Sequence, residues 1–279
     1  MYPAPFRYHR AASIDAAIRQ LSELGEGARA LAGGQSLLVW LKMRFGEVSD
    51  LVDIGRIPGL DTITQDANGV RIGALATHAR IARSPLAKQL PIVADCANGI
   101  ADNQVRSRGT IGGSLASGDP SCDWPVLLTT LDAKLQAQGP GGVRELPVDG
   151  FVEDLYVTKL KPGELITGIS FALPVKGSAG AYVGFKRCAP AYPTISVGVQ
   201  LSLNGEQCES VRIALGSAGL TTIHARGAEA ELKGKTLTPA VLARAAEAAV
   251  AECDPIDDQR GSIAFKQSII NALVKRGIE

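Results

Sequence analysis

The sequence predicts an α+β chain in which two α/β lobes share one anion-binding site and a C-terminal antiparallel sheet is covered by helices. Three observations carry this. Two related glycine turns, Ala32-Gly33-Gly34-Gln35-Ser36 and Thr110-Ile111-Gly112-Gly113-Ser114, each adjoin an apolar stretch and each end in a hydroxyl. A Gly, Ser and Pro cluster at Pro174 to Gly180 marks a boundary. Beyond it, apolar alternation flanks Asn204-Gly205, the strongest short hairpin signal.

The first lobe opens with residues 13 to 24, where Ile14, Ile18, Leu21 and Leu24 share a helical face behind Ser13 as N-cap. The strand ARALA then runs into the first glycine turn. In the second lobe, VRIGALAT at 70 to 77 alternates as a strand, and a helical stretch from 78 to 100 leads toward the second turn. Residues 121 to 138 read as a buried helix flowing into a strand. Gly139-Pro140-Gly141-Gly142 is a hairpin, VRELPV the returning strand, and 164 to 173 a closing strand. In the last hundred residues, Val197, Val199, Leu201 and Leu203 alternate before the hairpin, and Val211, Ile213 and Leu215 after it. Thr238-Pro239 starts a helix through 252. Ser262 caps a final helix that Gly277 ends, behind Lys275 and Arg276.

A diphosphate can be approached closely, with backbone N–H groups aimed at it, only where no Cβ intervenes, which is what glycine permits. Neither turn is G-x-G-x-x-G, and neither ends in Gly-Lys-Ser/Thr, which disfavours Rossmann and P-loop proteins. An ordinary tight turn remains the alternative for each alone.

Among 279 residues, 29 Lys and Arg balance 28 Asp and Glu, so no electrostatic footprint for nucleic acid or an anionic membrane is present. No apolar run has the length of a membrane span, and Met1 to Arg10 lacks that of a signal peptide. Cysteines 96, 122, 188, 208 and 253 are odd in number and scattered, which fits a reducing cytoplasm rather than a disulfide, zinc or iron–sulfur framework. The three histidines lack ligand spacing, so no metal site is expected.

With these features in view, Pro5-Phe6-x-Tyr8, AGGQSLL, the specific block Val105 to Pro125, the Lys186-Arg187 pair and DDQRGS at 257 to 262 resemble the FAD-binding medium subunit of the molybdenum hydroxylases, the group of xanthine dehydrogenase and carbon monoxide dehydrogenase. The resemblance spans nearly the whole chain. It implies two α/β FAD-binding subdomains of the PCMH type, at 1–55 and 56–177, and a C-terminal three-stranded antiparallel sheet with helices at 178–279.

The resemblance also implies site residues. Ala32, Gly33, Gly34, Gln35, Ser36 and Leu37 wrap the pyrophosphate. Thr110, Ile111, Gly112, Gly113, Ser114 and Ser117 form the second wall. Ile100, Leu160 and Ile166 line adenine and isoalloxazine surfaces, Lys186 lies near the flavin ring and Tyr192 at its exposed side. Asp123 accepts from a sugar or ring donor or caps the helix entered at Trp124-Pro125, and Lys186 has a solvated reading as well. Asp119 is read as holding the turn Gly118-Asp119-Pro120, and Arg260 with Ser262 as a helix-start device. Ala191 stands where many relatives carry an acidic residue, and the inserted cysteine segment of relatives that reduce aromatic acyl-CoA compounds is absent.

Function follows the same resemblance. A large molybdopterin subunit hydroxylates, a small subunit relays electrons through 2Fe-2S clusters, and this chain's FAD passes them to an external acceptor, in a heterotrimer or a doubled one. No catalytic triad is needed. Two rivals stand beside this reading: a stand-alone flavin oxidase of another FAD fold, and a non-redox FAD-holding assembly subunit.

Overall fold

The structure, a computed structural model, describes residues 2–279. The first sheet is parallel, ordered β1 (Arg7–Arg10), β3 (Asp50–Asp53), β2 (Ala28–Leu31), with α1 (Ile14–Leu24) packed on it and α2 (Leu37–Met43) leaving the first glycine turn. Ser13 caps α1 as expected, accepting from the Ala16 N–H. Asp50 locks the sheet: fully buried, it accepts from Arg7, His9 and Ser49, so the N-terminal strand is tied at its first residues.

The second lobe is built on a five-stranded antiparallel sheet, in order β4 (Ile63–Asp66), β5 (Gly69–Gly73), β10 (Leu165–Phe171), β6 (Lys134–Gly139), β7 (Gly142–Pro147). The last strand in sequence sits in the middle, between β5 and β6. The expected hairpin at 139 to 142 joins β6 and β7. The single helical stretch expected over 78 to 100 is instead three short helices: α3 (His78–Ala82), α4 (Pro85–Gln89) and α5 (Pro91–Gly99). Prolines 85 and 91 lack the N–H a continuing helix needs and each opens a new helix at N1, the first behind a Ser84 cap. Two further short helices, α6 (Asn103–Arg108) and α7 (Ile111–Ala116), flank the start of the second glycine turn, and α8 (Asp123–Thr130) is buried along its whole length. A small hairpin, β8 (Val152–Asp154) with β9 (Val157–Thr158), completes the lobe.

In the C-terminal region, β11 (Ala179–Phe185), β12 (Ile195–Asn204) and β13 (Gln207–Gly216) form the expected three long antiparallel strands, turning at Asn204-Gly205, and the two-residue β14 (Ile223–His224) adds an edge. Helices α9 (Arg226–Leu232), α10 (Pro239–Ala251) and α11 (Ile263–Ile278) cover one face. Thr238 and Ser262 cap α10 and α11. Gly277 does not end the last helix. It lies inside α11 with a Cβ position 3.0 Å from Val199 Cγ2, so the glycine lets the helix approach β12 rather than stopping it. The other face of the sheet receives α8: Thr130 Oγ1 would lie 2.4 Å from a Cβ on Gly198, a contact only glycine admits.

Candidate functional site

A cleft of 640 Å³ opens between the first two lobes and is closed at one end by the 190–192 loop of the third. Its volume falls within the range of about 300–1,000 Å³ typical of cofactor sites. Both glycine turns face it, as do Ile100, Leu160, Ile166, Asp123, Ser117 and Tyr192. Ile111 and Lys186 do not. Ile111 is fully buried in the core of the second lobe, where its side chain anchors the turn from behind. The Lys186 ammonium donates to the Gly99 carbonyl, behind the cleft wall.

The two turns have different jobs. Among the described residues, none of the backbone N–H groups of Gly33, Gly34, Gln35, Ser36 and Leu37 donates to a protein acceptor. Gly34 holds φ +73°, the left-handed conformation that favours glycine, and Ser36 starts α2 without spending its hydroxyl on a cap. Five clustered donors without acceptors are a ready anion cradle. The second turn is spent on the fold: Ile111 N–H donates to Ala76, Gly112 to Ala74, Gly113 to Thr110 Oγ1 and Ser114 to the Thr110 carbonyl. Four of its five N–H groups are thus taken by protein acceptors, so the second turn offers a ligand far fewer backbone donors than the first.

The glycines divide in the same way. A Cβ on Gly33 would lie 2.1 Å from the Arg108 carbonyl oxygen, and one on Gly112 2.6 Å from Ala74 Cβ, so both let the lobes touch. A Cβ on Gly113 would meet Thr110 Oγ1 at 2.9 Å and face Ala32 Cβ at 4.0 Å, filling the gap between the turns. That gap is a cradle a methyl group would close. With the free donors of the first turn and apolar flanks from Ile100, Leu160 and Ile166, the residues present fit a molecule with a diphosphate and flat rings.

Asp123 is 4% exposed at the first position of α8 and accepts from the Tyr182 hydroxyl at 2.7 Å through Oδ1. It makes no side-chain cap, and its other oxygen receives no bond from another side chain. Burial pushes its carboxyl up, while the nearby Lys186 cation pulls the other way. Lys186 is half-buried and does not line the cleft, and its charge bears on Asp123. Asp119 holds its turn as expected, accepting from the Ser121 N–H at 2.9 Å. The Arg260 side chain is not part of the helix start, where Ser262 accepts from the Phe265 N–H and Asp257 from the Ile263 N–H. Arg260 donates to Ser121 Oγ at 2.6 Å and stands over the Tyr192 ring at 5.8 Å, bracing that wall of the cleft.

Sequence reasoning missed several lining residues, among them Trp40, His78, Cys122 and Tyr156. No His or Cys stands beside either turn in the chain, yet the fold brings one of each to the cleft. Both are quiet. Burial, with Arg106 adding to it, holds His78 down to about 4, and its Nδ1 accepts from the Trp124 indole at 2.9 Å. Burial pushes the Cys122 thiol up to about 12. The pairing of His78 with Trp124 had no local signal, because 46 positions separate them.

Comparison with known proteins gives this geometry a family. Residues 4–174 match the FAD binding domain in molybdopterin dehydrogenase, and residues 180–279 the CO dehydrogenase flavoprotein C-terminal domain. The chain is 37% identical to the carbon monoxide dehydrogenase medium chain of Hydrogenophaga pseudoflava, over 100% of this chain and 97% of that one. It is also 37% identical to the 6-hydroxypseudooxynicotine dehydrogenase complex subunit alpha of Paenarthrobacter nicotinovorans, over 99% and 94%. The solved carbon monoxide dehydrogenase of Hydrogenophaga pseudoflava superposes with a TM-score of 0.98 at 38% identity, covering 100% and 97% of the two chains. Quinoline 2-oxidoreductase from Pseudomonas putida 86 gives 0.94 at 33%, covering 100% and 97%. A cleft with one donor-rich glycine turn, a second turn bracing it, and a sequence matched to this family from end to end make the chain a member of the FAD-binding medium subunits of the molybdenum hydroxylases.

Proposed function

We propose that this chain is the electron outlet of a cytoplasmic heterotrimer, single or doubled, in which a large molybdopterin subunit hydroxylates the substrate and a small subunit's 2Fe-2S clusters feed electrons to this chain for an external acceptor. The observation that carries the reading is the row of five N–H groups without acceptors on the cleft's first glycine turn. Bound there, FAD supplies chemistry in one-electron and two-electron steps, which joins single-electron clusters to a two-electron acceptor.

The chain's residues bind and orient. Ala32 to Leu37 hold the diphosphate by backbone donors, with the Ser36, Thr110 and Ser114 hydroxyls adding to them. Gly113 keeps the gap open, and Ile100, Leu160 and Ile166 exclude water from the rings. Asp123 offers its second oxygen to a ring or sugar donor, and Tyr192, braced by Arg260, covers the mouth. Division at 1–55, 56–177 and 178–279 places the cleft between the first two units with the third as its end wall.

Relatives of this chain belong to enzymes named for carbon monoxide, 6-hydroxypseudooxynicotine and quinoline, which supports substrate choice lying in a partner polypeptide. Nothing favours a stand-alone oxidase, since neither His78 nor Cys122 is poised as a covalent flavin anchor. The test is anaerobic: the purified complex is given its substrate, and the visible flavin bands are followed. Bleaching at a rate compatible with turnover is expected; flavin that stays oxidised while the clusters are reduced would refute the role.

A further inference from the structure

We propose that His224 is a positioning residue for the cofactor cleft: as an imidazolium held between Asp149 and Glu229, it clasps the C-terminal sheet onto the second lobe and steadies α8, the helix that presents Asp123 to the cleft.

The geometry requires the charged ring. His224 Nδ1 lies 2.7 Å from Asp149 Oδ2 and Nε2 2.8 Å from Glu229 Oε1, with only 6% of the side chain exposed. A neutral imidazole has one N–H, so its other nitrogen would set a lone pair against a carboxylate oxygen at bonding distance. Both contacts are favourable only when both nitrogens donate.

The clasp joins two units. From the C-terminal region come Arg212 on β13, His224 on β14, and Arg226 and Glu229 on α9; from the second lobe come Asp132 and Asp149. Arg226 reaches Asp149 at 2.7 Å, and Arg212 reaches Asp132 at 2.9 Å and Asp149 at 3.8 Å. Glu229 is fixed from behind by the Ile213 N–H at 2.8 Å. With His224 charged, three cations face three carboxylates; without its proton, Asp149 is left to draw Arg212 away from Asp132.

That displacement matters because Arg212 also grips α8. Its Nε donates to the Thr129 carbonyl at 2.6 Å, at the C-terminal end of the helix. All eight residues of α8 are buried, and close-packed interiors transmit strain rather than absorb it. About 9 Å along the helix, at its other end, stands Asp123.

The sign follows. Hydrogen bonding to Glu229, joined by Asp149 and opposed by burial, raises the proton affinity of His224. The clasp is therefore intact below the unfolded value of about 6.5 and is lost as pH rises through the higher folded one.

The test uses the full-length chain without FAD, its melting temperature followed from about pH 6 to pH 9. The wild type is expected to fall by about 2–4 °C more than His224→Gln, which starts lower and runs flatter. Asp149→Asn, which leaves the Glu229 pair in place, should flatten the profile in the same direction and serves if the first variant folds poorly. Equal slopes in wild type and variants overturn the clasp. FAD retention by the loaded chain is then measured over the same range and should weaken with pH in the wild type only; a melting step without that change overturns the link to the cleft. The second measurement rests on the cleft being the FAD site, whereas the first does not, so the two readings fail separately.

Discussion

Gly113→Ala separates ligand binding from folding. The new Cβ would sit 2.9 Å from Thr110 Oγ1, which caps α7 through the Gly113 N–H at 3.1 Å, so this cap must shift slightly. A weakened cap costs about 1 kcal/mol, and alanine in place of a helical glycine returns about the same. The melting temperature should therefore hardly move. Across the gap, however, the methyl reaches van der Waals contact with Ala32 Cβ at 4.0 Å and closes the space between the turns. A diphosphate pushed off the first turn loses at least one charge-assisted hydrogen bond, about 1.5–3 kcal/mol, or roughly 10- to 150-fold in affinity. FAD affinity by fluorescence titration, with melting curves in parallel, reads both effects. Gly33→Ala is the contrast: its Cβ would lie 2.1 Å from the Arg108 carbonyl, so the fold itself should weaken. Gly113→Ala with full FAD affinity would refute the placement of the diphosphate.

Lys186→Met should lower the flavin reduction potential, because a cation acting through Asp123 favours the more negative reduced form; spectroelectrochemistry showing no shift would remove Lys186 from the site. Asp119→Asn should be mild in both melting and FAD content, since an amide oxygen can still accept from the Ser121 N–H; FAD loss would point to direct ligand contact. Acid should destabilise the chain through His78, whose proton affinity burial lowers to about 4 in the fold: stability is full above the unfolded value of about 6.5 and falls toward pH 4 by about 3 kcal/mol. Trp124→Phe, which frees the imidazole acceptor, should change that acid limb in a pH-dependent melting series; an unchanged limb would assign it to other groups.

Local chemistry made much of this chain legible before its structure. The caps Ser13, Thr238 and Ser262, the hairpin at Asn204-Gly205 and the two glycine turns depend on neighbours within a few positions, so the sequence alone determined them. Apolar spacing over 78 to 100 suits one helix, but Pro85 and Pro91 each break the hydrogen-bond ladder and divide it into three. A terminal glycine and a buried contact glycine such as Gly277 look alike in one dimension; only β12 beneath it tells them apart.

The division of labour between the turns was decided by tertiary structure, since the Ala74 and Ala76 carbonyls take two donors of the second turn and, among the described residues, no protein acceptor takes those of the first. Arg260 beside Ser121, Trp124 against His78 and His224 between its carboxylates are likewise products of long-range packing. Backbone propensity and capping act along the chain and can be read from it, but which polar group finds a partner depends on surfaces that meet only after the chain has folded.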